Sequence, residues 1–211
     1  SRSSNFYKSG SADSEVSTDL LIYPSYAFSE KLSLSAKAII TKEETQGKNT
    51  LLSNTKLGLK IAGPQITENT KSSFGIGGIL PTNTQNRQTE RLKGGATLSA
   101  SISNVSGNLT SGYALIAQRN FHEFTVNADG APNVEQTLAH DLTLEYAFND
   151  SWSVSAEGIY KQGWTYKNFQ RQTFSTGADL SFSFNKELSF SVGVANQGNA
   201  FKANGTESNI S

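Results

Sequence analysis

The chain has 211 residues and no cysteine or methionine, and its 18 basic and 18 acidic side chains give a net charge of zero. This composition excludes a disulfide framework, a zinc knuckle and a thiol nucleophile. It also argues against a nucleic-acid partner, which would require a basic surface. No apolar run has the length of a membrane-spanning helix.

Taken in chain order, the sequence repeatedly alternates apolar and polar residues. In 31–42, Leu32 and Leu34 alternate with Ser33 and Ser35, and the same period of two recurs along the chain. This period is typical of β-strands, and no convincing amphipathic helix is found. The alternation predicts strands at 17–28, 31–42, 51–62, 72–80, 93–104, 110–124, 136–148, 151–166, 171–184 and 187–198. No linker separates these ten strands, so a single domain over residues 1–211 is predicted.

An aromatic pattern recurs immediately before the shortest connections. It occurs at Tyr26–Phe28, Tyr146–Phe148 and Phe182–Phe184, each followed by a two-residue polar step. The copies are unequally spaced, so they are not a solenoid repeat, and we expect a corner that the chain turns several times. Most other connections are longer and polar. The connection at 63–71 is an exception, because it is long yet falls on the side of the short turns.

Three features favour a membrane barrel over a water-soluble sheet. The face opposite the apolar residues carries mostly Ser, Gly, Ala and Thr, which suit the crowded inside of a barrel. Several strands exceed the soluble average of about five or six residues and match the roughly nine to eleven of a membrane strand. Aromatic residues form two bands that flank aliphatic residues, like the interfacial girdles of membrane barrels. The predicted membrane-interface aromatics are Tyr26, Phe28, Tyr146, Phe148, Trp152, Tyr160, Trp164, Phe182, Phe184 and Phe190.

Over about residues 17–198 the sequence resembles bacterial outer-membrane β-barrel proteins of porin-like architecture, without indicating a specific family. The resemblance implies an all-β, transmembrane, antiparallel up-and-down β-barrel with short periplasmic turns and long extracellular loops. A soluble β-barrel or sandwich is the alternative. Ten strands would place both chain ends on the extracellular side, whereas such barrels ordinarily keep them periplasmic. We therefore expect one strand to be missing at each end, which gives about twelve strands in all.

Charged residues on the face opposite the aromatics are candidate pore-lining groups. Lysines fall on the second and third strands and acids on the seventh to ninth, so we expect a cationic wall opposite an anionic wall. Lys161 lies among the acids and is expected to neutralise part of their charge. In a plugged barrel, the same charges would pair with one another. The predicted pore-lining charges are Lys37, Lys56, Lys60, Asp141, Glu145, Glu157, Lys161 and Asp179.

The two histidines invite an enzymatic interpretation. His140 and Asp141 prompt comparison with outer-membrane proteases, but adjacent strand residues face opposite sides and cannot pair within the strand. His122 lies beside Glu123 near a strand end, where a structural role is usual. No Ser–His–acid set, metal-ligand spacing or nucleotide-binding loop is recognised, so no catalytic residue, metal or cofactor is predicted.

The sequence thus predicts a non-enzymatic outer-membrane channel for passive passage of small polar or ionic solutes. Its expected partners are the lipid bilayer, lipopolysaccharide and the solutes or ions themselves, and the sequence indicates no oligomeric state. Arg87, Arg91 and Arg171 in or beside the long loops are candidate contacts to lipopolysaccharide phosphate. The alternatives are a structural or surface-interaction barrel with a blocked lumen and, third, an outer-membrane enzyme.

Overall fold

The computed structural model describes residues 2–4, 16–44, 50–184 and 189–199, and in them the predicted all-β class is confirmed. The strands are β1 (Arg2–Ser4), β2 (Val16–Ile22), β3 (Ser25–Ser29), β4 (Leu32–Glu43), β5 (Thr50–Leu52), β6 (Thr55–Thr67), β7 (Thr70–Leu80), β8 (Leu92–Ser106), β9 (Leu109–His122), β10 (Val134–Ala147), β11 (Trp152–Thr165), β12 (Gln170–Ser183) and β13 (Ser189–Asn199). A short π-helix, Asn86–Glu90, lies between β7 and β8. Among the described residues, no helix is long and apolar enough to cross a bilayer.

The strands form one up-and-down sheet, in which the long strands pair with their neighbours in sequence. The order is β1-β2-β4-β6-β7-β8-β9-β10-β11-β12-β13, and β3 and β5 also pair with β4. The predicted strands are recovered in this order, and β1 adds a short strand beside β2. The antiparallel up-and-down fold class is therefore confirmed, while the expectation of missing terminal strands stays a prediction.

The first predicted strand, 17–28, is interrupted at Tyr23 and Pro24, which separate β2 from β3. Proline has no backbone N–H to donate to a neighbouring strand, so it favours a break in the ladder. Its carbonyl oxygen still accepts a hydrogen bond from the backbone nitrogen of Ala36 at 3.0 Å. Both halves of the interrupted strand pair with β4, so the strand order is unchanged.

The third predicted strand, 51–62, is also divided, at Ser53 and Asn54, into β5 and β6. The Ser53 backbone nitrogen donates to the carbonyl oxygen of Ile39 at 2.8 Å. The Ser53 hydroxyl oxygen in turn accepts from the Ile39 backbone nitrogen at 2.8 Å. A serine side chain thus replaces a backbone acceptor, and hydrogen bonding to β4 continues across the division.

The long connection predicted at 63–71 is wrong. β6 continues through Pro64 to a turn at Glu68–Asn69, after which β7 begins. The Ser72 hydroxyl donates to the carbonyl oxygen of Pro64 at 2.7 Å, which ties the two strands together beside the proline. This turn is therefore as short as the other turns on its side of the sheet.

Contacts divide the chain into two compact units. The first unit comprises Ser1–Lys60, Ile76–Ala96 and Asn120–Asn133, and the second comprises Ile61–Gly75, Thr97–Arg119 and Val134–Ser211. Within the first unit, the buried Asn133 side chain donates through Nδ2 to the carbonyl oxygens of Glu90 and Phe124, both at 3.0 Å. This amide links the two connections that precede β8 and β10. The single-domain expectation stays a prediction.

Large apolar side chains are more exposed than the small polar side chains that alternate with them. On β8, Leu98 is 60% and Ile102 is 39% exposed, whereas Ser99 and Ser101 are half-buried. Within the described residues the buried apolar side chains are Ile79, Leu92, Ala139 and Phe174. A water-soluble sheet shows the reverse, because it covers its apolar face with a second layer.

Candidate functional site

The register of the C-terminal strands determines which side chains share a face. Leu144 on β10 lies opposite Ala156 on β11, and the next residue, Glu145, lies opposite Ser155. Successive side chains of a strand point to opposite faces. The strands therefore have an apolar face with aromatic and aliphatic residues and a polar face with small and charged residues.

Three of the predicted acidic residues form a cluster on the polar face of the second unit. Glu145 and Asp179 both lie opposite Ser155, in one row across three strands. Glu157 follows Ser155 by two residues on the same face of β11. Strands about 4.8 Å apart place the outer two carboxylates of the row about 10 Å apart, roughly one Debye length at 0.1 M salt. The three carboxylates therefore form an acidic cluster towards the short-turn end of the polar face, and their pore-lining role stays a prediction.

Lys161 also lies on the polar face but away from the acidic cluster. It lies opposite Ala139 and Thr173, four positions beyond Glu157 along β11. At about 3.3 Å per residue, this spacing is roughly 13 Å. The ion pairs found among the described residues do not include Lys161. The expected partial neutralisation of the acids by Lys161 stays a prediction.

The predicted lysines lie in the first unit and also share one face. A Cβ atom on Gly58 of β6 would lie 3.5 Å from the Ser35 hydroxyl oxygen of β4, so the two residues point to the same side. Lys56 and Lys60 are two residues on either side of Gly58, and Lys37 is two residues beyond Ser35. All three lysines therefore lie on the polar face of their strands. Their pore-lining role stays a prediction.

The repeated aromatic pattern forms the same ring pair at each corner. Tyr26–Phe28, Tyr146–Phe148 and Phe182–Phe184 have ring centroids 5.1, 5.2 and 4.7 Å apart and interplanar angles of 80°, 75° and 85°. At the second corner, Asn149 Oδ1 accepts a hydrogen bond from the Trp152 backbone nitrogen at 2.9 Å and closes the turn. The first two corners thus place a T-shaped aromatic pair beside polar turn residues, as suits a membrane–water interface.

The apolar face carries one hydrogen-bonded polar group that sequence reasoning missed. Tyr113 Oη lies 2.8 Å from His140 Nδ1, and Tyr160 Oη donates to Gln172 Oε1 at 2.7 Å. The His140 ring lies between the two tyrosine rings, with centroids 6.2 and 6.3 Å away. These residues come from four strands, so only the register brings them together. Tyr160, predicted at the membrane interface, lies beside His140, and Asp141 lies on the opposite face, as expected.

Asp141 lies near the middle of β10, one row beyond Glu157 on the same face. Its register partners are Ala114 and Ile159, and the next row towards the long connections holds Ile116 and Ala139. Oδ1 of Asp141 is shielded from solvent and has no hydrogen-bond partner. The four apolar residues, named here the mid-strand patch, interrupt the otherwise polar face around one carboxylate. Each strand contributes only one or two of these residues, so the patch has little signal in the sequence.

A solved structure entitled "CymD monoaromatic hydrocarbon channel" is similar to this chain over 88% of its length and 69% of the other chain. The two share 14% sequence identity, and the TM-score is 0.47. No curated protein sequence matches the chain.

A family profile described as "Putative MetA-pathway of phenol degradation" matches residues 13–208, almost the whole chain. This match confirms the class of protein that the sequence predicts, which is a channel-type β-barrel of the outer membrane. The apolar face with its paired aromatic corners is the structural counterpart of that class. The chain belongs to the family described as "Putative MetA-pathway of phenol degradation".

Proposed function

We propose that this protein is a channel through which small hydrophobic aromatic solutes cross the bacterial outer membrane passively. The observation that carries the proposal is the family match, because the family description names phenol degradation. Degradation of an external aromatic compound requires that the compound first pass the cell envelope. A barrel whose apolar face meets lipid supplies a route for that passage.

An aromatic solute replaces the polar or ionic solute expected from the charges alone. The mid-strand patch supports this change, because Ile116 and Ile159 place apolar surface on the face that we assign to the lumen. Binding sites for small molecules are mostly apolar and contain few polar groups. The acidic cluster and the lysines then surround an apolar path. The acidic cluster disfavours anionic solutes in its neighbourhood.

The remaining partners follow from the same orientation in the membrane. The apolar face contacts the hydrocarbon region, and the paired aromatic rings lie at headgroup depth. The proposed contacts to lipopolysaccharide phosphates at the long-connection side are Arg87 within the π-helix, Arg91 directly after it and Arg171 near the start of β12. None of these roles requires catalysis by the chain.

Uptake by porin-deficient Gram-negative cells that express the protein tests the proposal. Phospholipid bilayers alone are a poor barrier to phenol, so the assay requires an outer leaflet of lipopolysaccharide. Initial uptake of radiolabelled phenol and toluene is compared with that of a neutral sugar, and cells without the protein set the baseline. Faster uptake of both aromatics, but not of sugar, is expected. Faster uptake of sugar alone would indicate a polar pore, and uptake at baseline for every solute would indicate a blocked lumen.

A further inference from the structure

The mid-strand patch and Asp141 form a small mixed surface near the middle of the polar face. Asp141 lies between Ala114 on β9 and Ile159 on β11, in a single row across three strands. Ile116 and Ala139 extend this apolar surface by one row. Directly opposed residues in a sheet have Cβ atoms about 5 Å apart, and diagonal neighbours about 7–8 Å. The surface therefore spans about 10 Å across the three strands and about 7 Å along them, so one aromatic ring covers part of it.

The Asp141 carboxylate retains acceptor capacity that the protein does not use. Oδ1 has no hydrogen-bond partner, while the residue as a whole is partly exposed on the polar face. Lys161, one row away, makes no ion pair among the described residues. A carboxylate has about four acceptor positions, and hydrogen bonds to an ionised acceptor are roughly twice as strong as neutral ones. Oδ1 is shielded from solvent, so a ligand hydroxyl reaches the carboxylate at its exposed edge, where it meets a strong acceptor.

One chemical class matches both halves of this surface. A planar apolar ring packs against Ile159, which lies directly opposite Asp141, and a single hydroxyl on that ring donates to Asp141. An aromatic hydrocarbon without a hydroxyl gains only the ring contact. A phenolate or an aromatic acid is repelled by Asp141 and by Glu157, which lies two residues beyond Ile159 on the same face.

We propose that Asp141 and the mid-strand patch form a recognition subsite for neutral phenols, in which the carboxylate accepts the solute hydroxyl. The subsite deepens the proposed function and rests on it. The subsite gives phenol an advantage over an aromatic hydrocarbon of similar size. It also gives Asp141 a role that differs from that of the acidic cluster.

The test compares 4-fluorophenol with fluorobenzene on the purified full-length protein in lipid nanodiscs. Titrations followed by ¹⁹F NMR give a Kd for each compound, and empty nanodiscs correct for partition into lipid. The variants are Asp141→Leu, which removes the acceptor, and Asp141→Asn, which keeps the shape but removes the charge. The matched control is Glu157→Gln, which removes a carboxylate from the same face one row away. Heat-modifiable migration on SDS gels establishes that each variant is folded.

In Asp141→Leu, the preference for 4-fluorophenol should fall about tenfold, which corresponds to about 1.4 kcal/mol, with fluorobenzene affinity unchanged. Asp141→Asn should show a smaller loss, and it carries the test if the leucine variant does not fold. Glu157→Gln should leave the preference unchanged. An unchanged preference in both Asp141 variants, or an equal loss in Glu157→Gln, would overturn the subsite. Cellular uptake of phenol and toluene by the same variants separates the two proposals. Uptake above baseline that is insensitive to Asp141 overturns only the subsite, whereas uptake at baseline in the unmodified protein overturns the channel itself.

Discussion

Replacing Leu142 with arginine tests whether the apolar face lies in lipid. Leu142 is near the middle of β10, is 52% exposed, and lies opposite Tyr113 and Gly158 on the neighbouring strands. The next residue, Thr143, lies on the polar face opposite Glu157 and provides a matched control on the same strand. Both substitutions introduce the same side chain at nearly the same depth, so they differ mainly in the face that receives the charge.

The expected cost follows from the solvent that each face meets. An arginine on the lipid face near the bilayer midplane destabilises a membrane barrel by about 2–4 kcal/mol, whereas substitutions facing the lumen mainly affect selectivity. If the apolar face met water instead, a substitution at a half-exposed position would change stability by no more than about 0.5 kcal/mol. Thr143→Arg gains an acidic neighbour in Glu157 and should cost less than about 1 kcal/mol.

Reversible urea unfolding in lipid vesicles, followed by tryptophan fluorescence, measures both free energies of unfolding. The unmodified protein and the two arginine variants are compared at matched urea concentrations and lipid composition. A cost at Thr143 equal to or greater than that at Leu142 would refute the assignment of the apolar face to lipid. Equal costs near zero would show that neither face meets hydrocarbon.

Three further predictions follow from the same geometry. Unboiled protein should migrate differently from boiled protein on SDS gels, because a closed barrel resists unfolding in detergent. Full solubility of the protein without detergent would contradict the membrane assignment. Changing Lys56 and Lys60 together to glutamate should shift the reversal potential in a salt gradient towards cation selectivity, whereas an unchanged potential would place both lysines away from the ion path. Gly193→Val should destabilise the protein by about 1–3 kcal/mol by overpacking, because a Cβ there would lie 2.6 Å from the Ala178 carbonyl oxygen. Gly158→Ala is its control, since a Cβ there has no neighbour within 4 Å, and equal denaturation midpoints for the two variants would disprove the clash.

Strand order and facing were predictable because both depend on local alternation. A period of two fixes the face of each side chain once the strand is recognised, so Glu157 and Asp179 were placed on the polar face from sequence alone. Strand boundaries were less predictable where a proline, which lacks a backbone N–H, interrupts the alternation of apolar and polar residues. Pro24 ends a strand that alternation would continue, whereas Pro64 lies within one, and only the hydrogen bonds around each proline distinguish the two cases.

The candidate site depended on register, which a single sequence does not reveal. Ile116 and Ile159 each look like isolated exceptions on a polar face, and they meet Asp141 only because β9, β10 and β11 align as they do. The contact between Tyr113 and His140 depends on the same alignment. The proposed solute class depends on the family match, because the charges alone favour an ionic path.

Trp152 and Trp164 lie on one face of β11, one near each end, and they are the two tryptophans of the chain. At about 3.3 Å per residue they are about 40 Å apart along the strand, or about 30 Å across the bilayer at a tilt of about 40°. The indole rings therefore straddle an apolar band about 25 Å tall. A thicker hydrocarbon core would draw one indole below the headgroups, and the resulting hydrophobic mismatch carries an energetic cost for each ångström of excess thickness. The bacterial outer membrane is thinner than average, so the spacing of the two indoles fits this chain to that membrane better than to thicker ones.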